Sequence, residues 1–305
     1  MQLIKVQSND TGQSLFKFIK KRYSDTPLSV IYKWFRTGKI KVNGKKIRDQ
    51  KFLINLGDEI MVFDTNRTLV RDNFKEADFS DLEIVYEDNN ILIVDKPHNL
   101  EIHSPINIAL DDQVKSYLVS KGEYAPEEEN SFVVSHVHRI DKLTRGLVIY
   151  AKNRQALESL SEAINDKNKI KKTYWANLER KVNNNLEAVG WIKYDSDLQK
   201  AIFQEDEDEG YKKVQTSFYP FATENGNWVE IILQTGRKHQ IRATLEYFDN
   251  PVVNDFRYGY QNRTGQKSIM LFAIEISFHN LNSPLEYLND QKFDIKGKIK
   301  ELHKF

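Results

Sequence analysis

Two segments of the chain gather polar and charged side chains next to apolar strands. The first, residues 135–146 (Ser-His-Val-His-Arg-Ile-Asp-Lys-Leu-Thr-Arg-Gly), stands directly before the apolar run 147–151. Polar residues at a strand entrance line a cleft, or they form a tight loop in which the carboxylate of Asp141 would accept from loop amides. Both interpretations remain open on this pattern alone.

The second segment, residues 234–242 (Gln-Thr-Gly-Arg-Lys-His-Gln-Ile-Arg), follows the apolar run 229–233 and opens a predicted helix. A helix N-terminus preceded by glycine favours an anion. Arg237, Lys238 and Arg242 add positive charge, so the segment predicts an anion-binding site. The alternative is an ordinary helix start whose arginines pair with surface carboxylates.

A third, shorter element is Lys172-Thr173-Tyr174, which falls in a predicted strand. Because side chains alternate along a strand, Lys172 and Tyr174 share one face. The pair could belong to a site, and an ordinary amphipathic edge strand would have the same pattern.

Three histidines, His136, His138 and His239, raise the question of a metal. His-x-His could supply two ligands, but no further His, Asp or Glu at a suitable spacing supplies a clear third. The chain has no P-loop, no Gly-x-Gly-x-x-Gly after a strand and no Gly-x-Ser-x-Gly elbow. We therefore expect neither a metal nor an organic cofactor.

The composition is that of a globular protein, with 40% apolar and 29% charged residues among 305. No run approaches the 18 or so apolar residues of a membrane span, and the first residues are too polar for a signal peptide. The chain has no cysteine, which excludes disulfides and thiolate chemistry and is typical of the reducing cytoplasm. These features predict a cytoplasmic protein with no membrane partner.

The net charge of +1 conceals an asymmetry along the chain. Residues 1–64 contain 13 Lys and Arg against 6 Asp and Glu, whereas the remainder contains 32 against 38. A basic N-terminal module favours a polyanionic partner. An uneven distribution of surface charge without functional meaning is the open alternative.

The N-terminal residues predict two helices followed by a small hairpin. Apolar residues recur at helical spacing over 13–22 and 28–37, and Gly38 suits a helix C-cap. Strict alternation over 39–42 leads into Asn43-Gly44, the strongest short hairpin signal.

The rest of the chain predicts a second, larger domain. Residues 65–80 are polar and poorly patterned, which is typical of a linker. From 81 to 305, strands outnumber helices and several hairpins are adjacent. We therefore predict an α+β protein, with a small two-helix plus hairpin domain over 1–64. The domain over 81–305 is predicted to hold a mixed, largely antiparallel sheet flanked by helices.

Taken together, five short motifs resemble those of the RluA-type family of large-subunit ribosomal RNA pseudouridine synthases. They are residues 93–97 (Ile-Val-Asp-Lys-Pro), 138–146, 172–174, 235–242 and 255–259 (Asp-Phe-Arg-Tyr-Gly). All five occur in the family's order over about residues 82–260. Three positions depart from it: Arg145 replaces a serine, Asn254 a glycine and Thr244 a frequent histidine.

The N-terminal module resembles the alpha-L RNA-binding motif of the ribosomal protein S-four type. Residues 36–45 (Arg-Thr-Gly-Lys-Ile-Lys-Val-Asn-Gly-Lys) carry this resemblance, which covers about residues 12–64. It implies that the basic module binds RNA, which agrees with the charge asymmetry.

The family resemblance implies a cofactor-independent isomerase that converts uridine to pseudouridine in structured RNA. Asp141 would act first, as nucleophile or as base, with its pKa lowered by Arg242. Tyr174 would stack on the flipped uracil, and Arg139 would fill the space that the base leaves. The remaining expected RNA-binding residues are Arg36, Lys39, Lys41, Lys45, Lys172, Arg237, Lys238 and Arg145.

The RNA target and two alternative functions remain open. Large-subunit ribosomal RNA is the expected target, transfer RNA is the alternative, and a monomer is the default. A non-catalytic RNA-binding ribosome-assembly factor would use the same surfaces, although Asp141 suits a phosphate-lined cleft poorly unless it reacts. A metal-dependent hydrolase using His136 and His138 is a third hypothesis.

Overall fold

The computed structural model describes residues 2–63, 74–262 and 268–304. It divides into two compact units. The first comprises Met1–Phe79, Asp112–Ser135 and Lys152–Gln155, and the second comprises Ser80–Asp111, His136–Ala151 and Ala156–Phe305. The domain boundaries expected from the sequence (1–64, 65–80, 81–305) stay a prediction, and the linker residues 65–73 lie outside the described residues.

The first unit contains the predicted two helices and hairpin. Its helices are α1 (Leu15–Arg22) and α2 (Leu28–Thr37), and its strands are β1 (Gln2–Lys5), β2 (Ile40–Val42), β3 (Lys45–Lys46) and β4 (Glu59–Val62). The strands form an antiparallel sheet in the order β1-β4-β2-β3. Gly38 caps α2 in the left-handed conformation with φ 67°, and Asn43 and Gly44 turn the hairpin with φ 48° and 78°.

One apolar cluster holds this unit together. Helix α1 contributes Leu15, Phe18 and Ile19, and α2 contributes Trp34 and Phe35. All five side chains are buried, and each stabilises the fold by about 1.5–3 kcal/mol through loss of water contact. The helical spacing of these residues in the sequence is therefore explained by one shared core.

The second unit is built on a large mixed sheet. Its strands are β5 (Ile84–Glu87), β6 (Ile91–Lys96), β7 (Ser135–His136), β8 (Arg145–Ala151), β9 (Ile170–Leu178), β10 (Leu186–Asp195), β11 (Lys200–Gln204), β12 (Lys212–Pro220), β13 (Asn227–Leu233), β14 (Leu271–Phe278) and β15 (Lys292–Asp294). The order is β11-β10-β12-β13-β9-β14-β8-β6-β5, with β15 on β14 and β7 on β8.

The described residues contain four further α-helices: α3 (Leu110–Ser120), α4 (Arg154–Ala163), α5 (Gln240–Tyr247) and α6 (Lys296–His303). Three short 3-10 helices within the same residues lie at Ser8–Asp10, Phe256–Tyr258 and Glu286–Leu288. The α+β class and the largely antiparallel sheet are confirmed. None of the helices in the described ranges is long and apolar enough to cross a membrane.

A parallel pairing between β8 and β14 interrupts the antiparallel pattern. At this pairing Gly146 lies opposite Ala273 and has φ 134°. A Cβ atom on residue 146 would lie 2.2 Å from the carbonyl oxygen of Ala273, far inside van der Waals contact. Only glycine lets the two strands meet here, and this meeting point fixes the C-terminal end of the loop that carries Asp141.

Candidate active site

Asp141 lies in the loop between β7 and β8, at the entrance of a fully buried strand. The backbone N–H of Thr144 donates to the carbonyl of Asp141 at 3.0 Å, which closes a tight turn. The Asp141 side chain is 25% exposed, and its Oδ2 lies 3.6 Å from Arg242 Nη1 and 3.8 Å from His239 Nε2. The structure thus brings both polar segments of the sequence together at one carboxylate.

The guanidinium of Arg242 is held rigidly between two carboxylates. Arg242 Nε donates to Asp255 Oδ2 at 2.6 Å and its Nη2 donates to Oδ1 at 2.8 Å. Both side chains are almost completely buried, and the guanidinium carbon lies 4.6 Å from the ring centroid of Tyr258. This bidentate, charge-assisted pair fixes the orientation of the guanidinium, so that Nη1 points toward Asp141.

Burial raises the pKa of Asp141 above its ordinary value, although the positive charges of Arg242, Lys238 and Lys96 act in the opposite direction. Arg242 therefore acts on the pKa of Asp141 in the expected direction, but burial outweighs it and the pKa lies above its ordinary value. The sequence identified the basic partner, but the extent of desolvation depends on the whole sheet around the loop. A raised pKa makes the ionised carboxylate a stronger base.

Lys96 lies in the 93–97 motif, and the sequence predicts no role for it. In the structure its side chain contacts the loop that carries Asp141. Its buried Nζ donates to the carbonyls of Pro97, Leu100 and Lys142 at 2.8, 2.9 and 3.1 Å. Burial lowers the pKa of Lys96 to about 7, with the charge of Asp141 opposing that shift. Because Lys142 is the residue after Asp141, the bond to its carbonyl ties Lys96 to the loop that carries Asp141.

Tyr174 and Lys172 lie on β9 with their side chains on the same face, as alternation along a strand requires. Tyr174 is buried, and both burial and the charge of Asp141 raise the pKa of its phenol. Burial and the charge of Lys167 lower the pKa of Lys172 to about 8. The charge of Asp141 thus acts on the phenol of Tyr174.

Three further cations border this site. Arg139, Arg237 and Lys238 are exposed. The ammonium of Lys238 lies 3.5 Å from the ring centroid of Tyr194, a cation–π contact that orients it.

Arg145, which we expected among the RNA-binding residues, instead pairs with a buried carboxylate. Its Nη2 donates to Asp95 Oδ2 at 2.7 Å and its Nε approaches both oxygens at 3.2 and 3.3 Å. Glu83 and Lys298 extend this group of charges. The residue that departs from the family's serine therefore balances the charge of buried Asp95.

The expected RNA-binding residues of the N-terminal module lie in the first unit. Arg36 lies in the last turn of α2, and Lys39, Lys41 and Lys45 lie on or beside the hairpin. Arg36, Lys39 and Lys45 are exposed, while Lys41 is half-buried with its ammonium 4.9 Å from the Phe63 ring. Their arrangement provides a cationic surface on one module.

The histidines of the His-x-His motif have separate partners. His136 Nδ1 lies 2.9 Å from Asp111 Oδ1, whereas the backbone N–H of Ile149 donates to Nε2 of buried His138 at 3.3 Å. Within the part of the chain that the structure describes, no three His, Asp or Glu side chains come together as a metal site would require.

His239, which the sequence suggests only as a candidate metal ligand, lies beside Asp141 in the structure. It is the N-cap of α5 and adopts the left-handed conformation with φ 56°. Burial, followed by the charges of Arg242 and Lys238, lowers its pKa to about 3. Its place inside the 235–242 motif, three residues before Arg242, is the signal that could have identified it.

The fold and this constellation are those of an RNA-modifying isomerase. The model of the RNA pseudouridylate synthase family matches residues 90–247, and the chain belongs to this family. An "uncharacterized RNA pseudouridine synthase" of Mycoplasma capricolum subsp. capricolum (strain California kid) is 49% identical over 94% of both chains. The ribosomal large subunit pseudouridine synthase C of Escherichia coli (strain K12) is 30% identical over 91% of this chain and 88% of its own.

A solved structure has a similar fold over about two thirds of the chain. Human RNA pseudouridylate synthase domain containing 1 superposes with a TM-score of 0.52 at 20% identity, covering 69% of this chain and 83% of its own. The chain is thus an RNA pseudouridine synthase, as its five motifs predicted, and it isomerises uridine in RNA. The alpha-L motif in the first unit stays a prediction.

Proposed function

We propose that this enzyme modifies specific uridines of large-subunit ribosomal RNA and that the reaction depends on Asp141. The observation that carries the proposal is the Asp141 carboxylate, which is partly exposed and lies between Arg242 and His239. The relative from Escherichia coli, whose name refers to the large ribosomal subunit, supports the choice of RNA. Transfer RNA is the alternative target.

The reaction breaks the bond between uracil and ribose, turns the base, and rejoins it to the sugar through carbon five. The uridine lies in folded RNA and has to be flipped into the site, at a cost of a few kcal/mol. Asp141 then acts as a nucleophile on the sugar or as a base. Both roles need an ionised carboxylate, and the raised pKa makes that carboxylate more reactive once it is ionised.

Arg242 keeps the carboxylate oriented and charged during the reaction. Because Asp255 fixes two of its nitrogens, Nη1 stays directed at Asp141 without reorganisation. Tyr174, on β9, provides the aromatic face on which uracil stacks.

RNA is held mainly through its phosphates. Arg139 is exposed two residues before Asp141 and fills the gap left by the flipped base. Arg237 and Lys238 bind phosphates beside the site, and Lys172 adds charge on the strand that carries Tyr174. The N-terminal cations Arg36, Lys39, Lys41 and Lys45 bind RNA in the manner of an alpha-L motif. Such contacts give affinity and salt dependence more than sequence specificity.

The test is a pseudouridine map of total RNA from cells that lack the enzyme, compared with cells that carry the wild type or Asp141→Asn. Asp206→Asn, in the exposed acidic run, is the matched control. We expect specific uridines of large-subunit RNA to lose the mark and only the wild type and the control to restore it. Marks restored by Asp141→Asn would exclude the proposed role of Asp141. Losses confined to transfer RNA would overturn the proposed target.

A further inference from the structure

His239 and Tyr258 form a hydrogen-bonded pair next to Asp141. His239 Nδ1 lies 2.8 Å from the phenol oxygen of Tyr258, and the backbone N–H of Ala201 donates to that same oxygen at 2.7 Å. Tyr258 is completely buried. The phenol has a single hydrogen, and its oxygen already accepts from Ala201.

The surroundings determine which of the two residues, Tyr258 or His239, donates the hydrogen bond between them. A buried phenol hydrogen without an acceptor is costly, and Nδ1 of His239 is the acceptor within reach. Tyr258 therefore donates to Nδ1, which leaves the proton of a neutral imidazole on Nε2. That nitrogen faces Asp141 Oδ2 at 3.8 Å.

We propose that Tyr258 fixes the tautomer of His239 so that Nε2–H faces Asp141, which makes His239 a positioning residue for the reacting carboxylate. The inference rests on the proposed role of Asp141. At 3.8 Å the contact is longer than a hydrogen bond, and catalytic hydrogen bonds often tighten only when the substrate is bound. Arg242 Nη1 and His239 Nε2 both approach the same oxygen, Oδ2, and together they hold the carboxylate in one orientation.

The charges around His239 keep the imidazole neutral. The groups that face it are Arg242 and Lys238 on or next to α5, Arg257 and Asp255 on the 255–259 turn, and Asp141 on the loop. Arg242, Lys238 and Arg257 oppose a further positive charge, and burial acts in the same direction. A neutral donor can orient a carboxylate without forming a second ion pair that would weaken it as a base.

The backbone of His239 supports this interpretation. A non-glycine residue with φ 56° is uncommon, and the surrounding contacts hold this one in place. The imidazole packs edge-on against the rings of both Tyr194 and Tyr258, with centroids 5.7 Å apart in each case. The ring is thus held in position by its neighbours as well as by the hydrogen bond.

The first test is the tautomer itself, measured by ¹⁵N NMR on protein labelled at histidine. The signal of His239 is assigned by its loss in His239→Gln. We expect a proton on Nε2 and an unprotonated Nδ1 from pH 5.5 to 8, with a mixture of tautomers in Tyr258→Phe. A proton on Nδ1, or a ring that becomes charged within this range, would overturn the proposal whatever the activity of the enzyme.

The second test measures kcat and KM on RNA for three variants. His239→Ala loses the donor, and we expect kcat to fall about 10–100-fold with little change in KM, since a hydrogen bond to a charged group is lost. His239→Gln carries an amide N–H of similar reach and should recover most of that loss. Tyr258→Phe should lower kcat about 10-fold because the tautomer is no longer fixed.

Tyr219→Phe is the matched control, since it removes only the hydroxyl of a 37% exposed tyrosine on β12 that has no part in the site. Its kcat should stay near that of the wild type. Equal losses in His239→Gln and His239→Ala, at unchanged melting temperature, would refute a positioning role. A fully active Asp141→Asn would refute the proposed function instead, so the two failures are distinguishable.

Discussion

Asp255→Asn removes one partner of the most completely buried ion pair at the site. In the wild type, two charge-assisted bonds of 2.6 and 2.8 Å join Arg242 to Asp255, and both side chains are at most 2% exposed. The asparagine amide keeps one acceptor and turns a donor toward the guanidinium, which stays charged. Leaving one charge of a buried pair uncompensated costs about 3–5 kcal/mol. At about 2–4 °C per kcal/mol, the melting temperature should fall by roughly 6–20 °C.

The same change should alter the pH dependence of the reaction. Without Asp255, a negative charge is lost near Asp141 and Arg242 is free to move closer to it. Both effects lower the pKa of Asp141, so the acid limb of kcat should move to lower pH. The assay is a series of single-turnover reactions on a uridine-containing RNA from pH 4 to 8, together with calorimetric melting.

Glu275→Gln is the control for this prediction, because Glu275 forms a partly exposed ion pair with Lys296 at 2.7 Å. Exposed pairs contribute about 1 kcal/mol or less, so its melting temperature should change by only a few degrees. If Asp255→Asn melts as the control does and keeps the wild-type acid limb, the claim that Asp255 fixes Arg242 for Asp141 is wrong.

Three further predictions follow from the site. In the wild type, activity should fall as pH falls through the pKa of Asp141, and the midpoint should lie above the usual aspartate value of about 3.9; a pH–rate profile measures it. Lys96→Met should lower stability by about 2–4 kcal/mol, because three carbonyls lose their buried donor, and it should also lower kcat. Melting and kinetics test this, and an unchanged kcat would show that Lys96 does not support the loop that carries Asp141. Arg145→Ser should lower the free energy of unfolding by about 3–5 kcal/mol, because the charge of buried Asp95 loses its partner. Adding Asp95→Asn should restore most of the lost stability. If the melting temperatures show additive losses instead, the two residues do not compensate each other.

Much of the fold could be predicted because its signals are local. Asn43-Gly44 and Gly38 are turn and cap residues whose conformations depend on their own backbones. The apolar faces of α1 and α2 follow from helical spacing, and the buried part of β8 follows from the five consecutive apolar residues 147–151. Signals of this kind do not depend on which other part of the chain packs against them.

The features that the sequence analysis missed depend on contacts between distant residues. In the sequence Arg145 cannot be told from any other surface cation. In the folded chain, β6 places Asp95, which is fifty positions earlier, within hydrogen-bond distance of it. The pKa of Asp141 depends on how much water the surrounding strands exclude, which no single motif specifies. The grouping of Asp112–Ser135 with the N-terminal residues is likewise a property of the folded chain.

Gly146 has a consequence for attempts to exchange loops between related enzymes. The loop that carries Asp141 ends where this glycine touches the backbone of Ala273, more than a hundred residues later in the chain. A graft of residues 137–146 alone would place a foreign backbone against the resident β14. The segment that has to be exchanged is therefore discontinuous in sequence. A chimera has to replace the loop together with the start of β14 to keep the Asp141 carboxylate in its position.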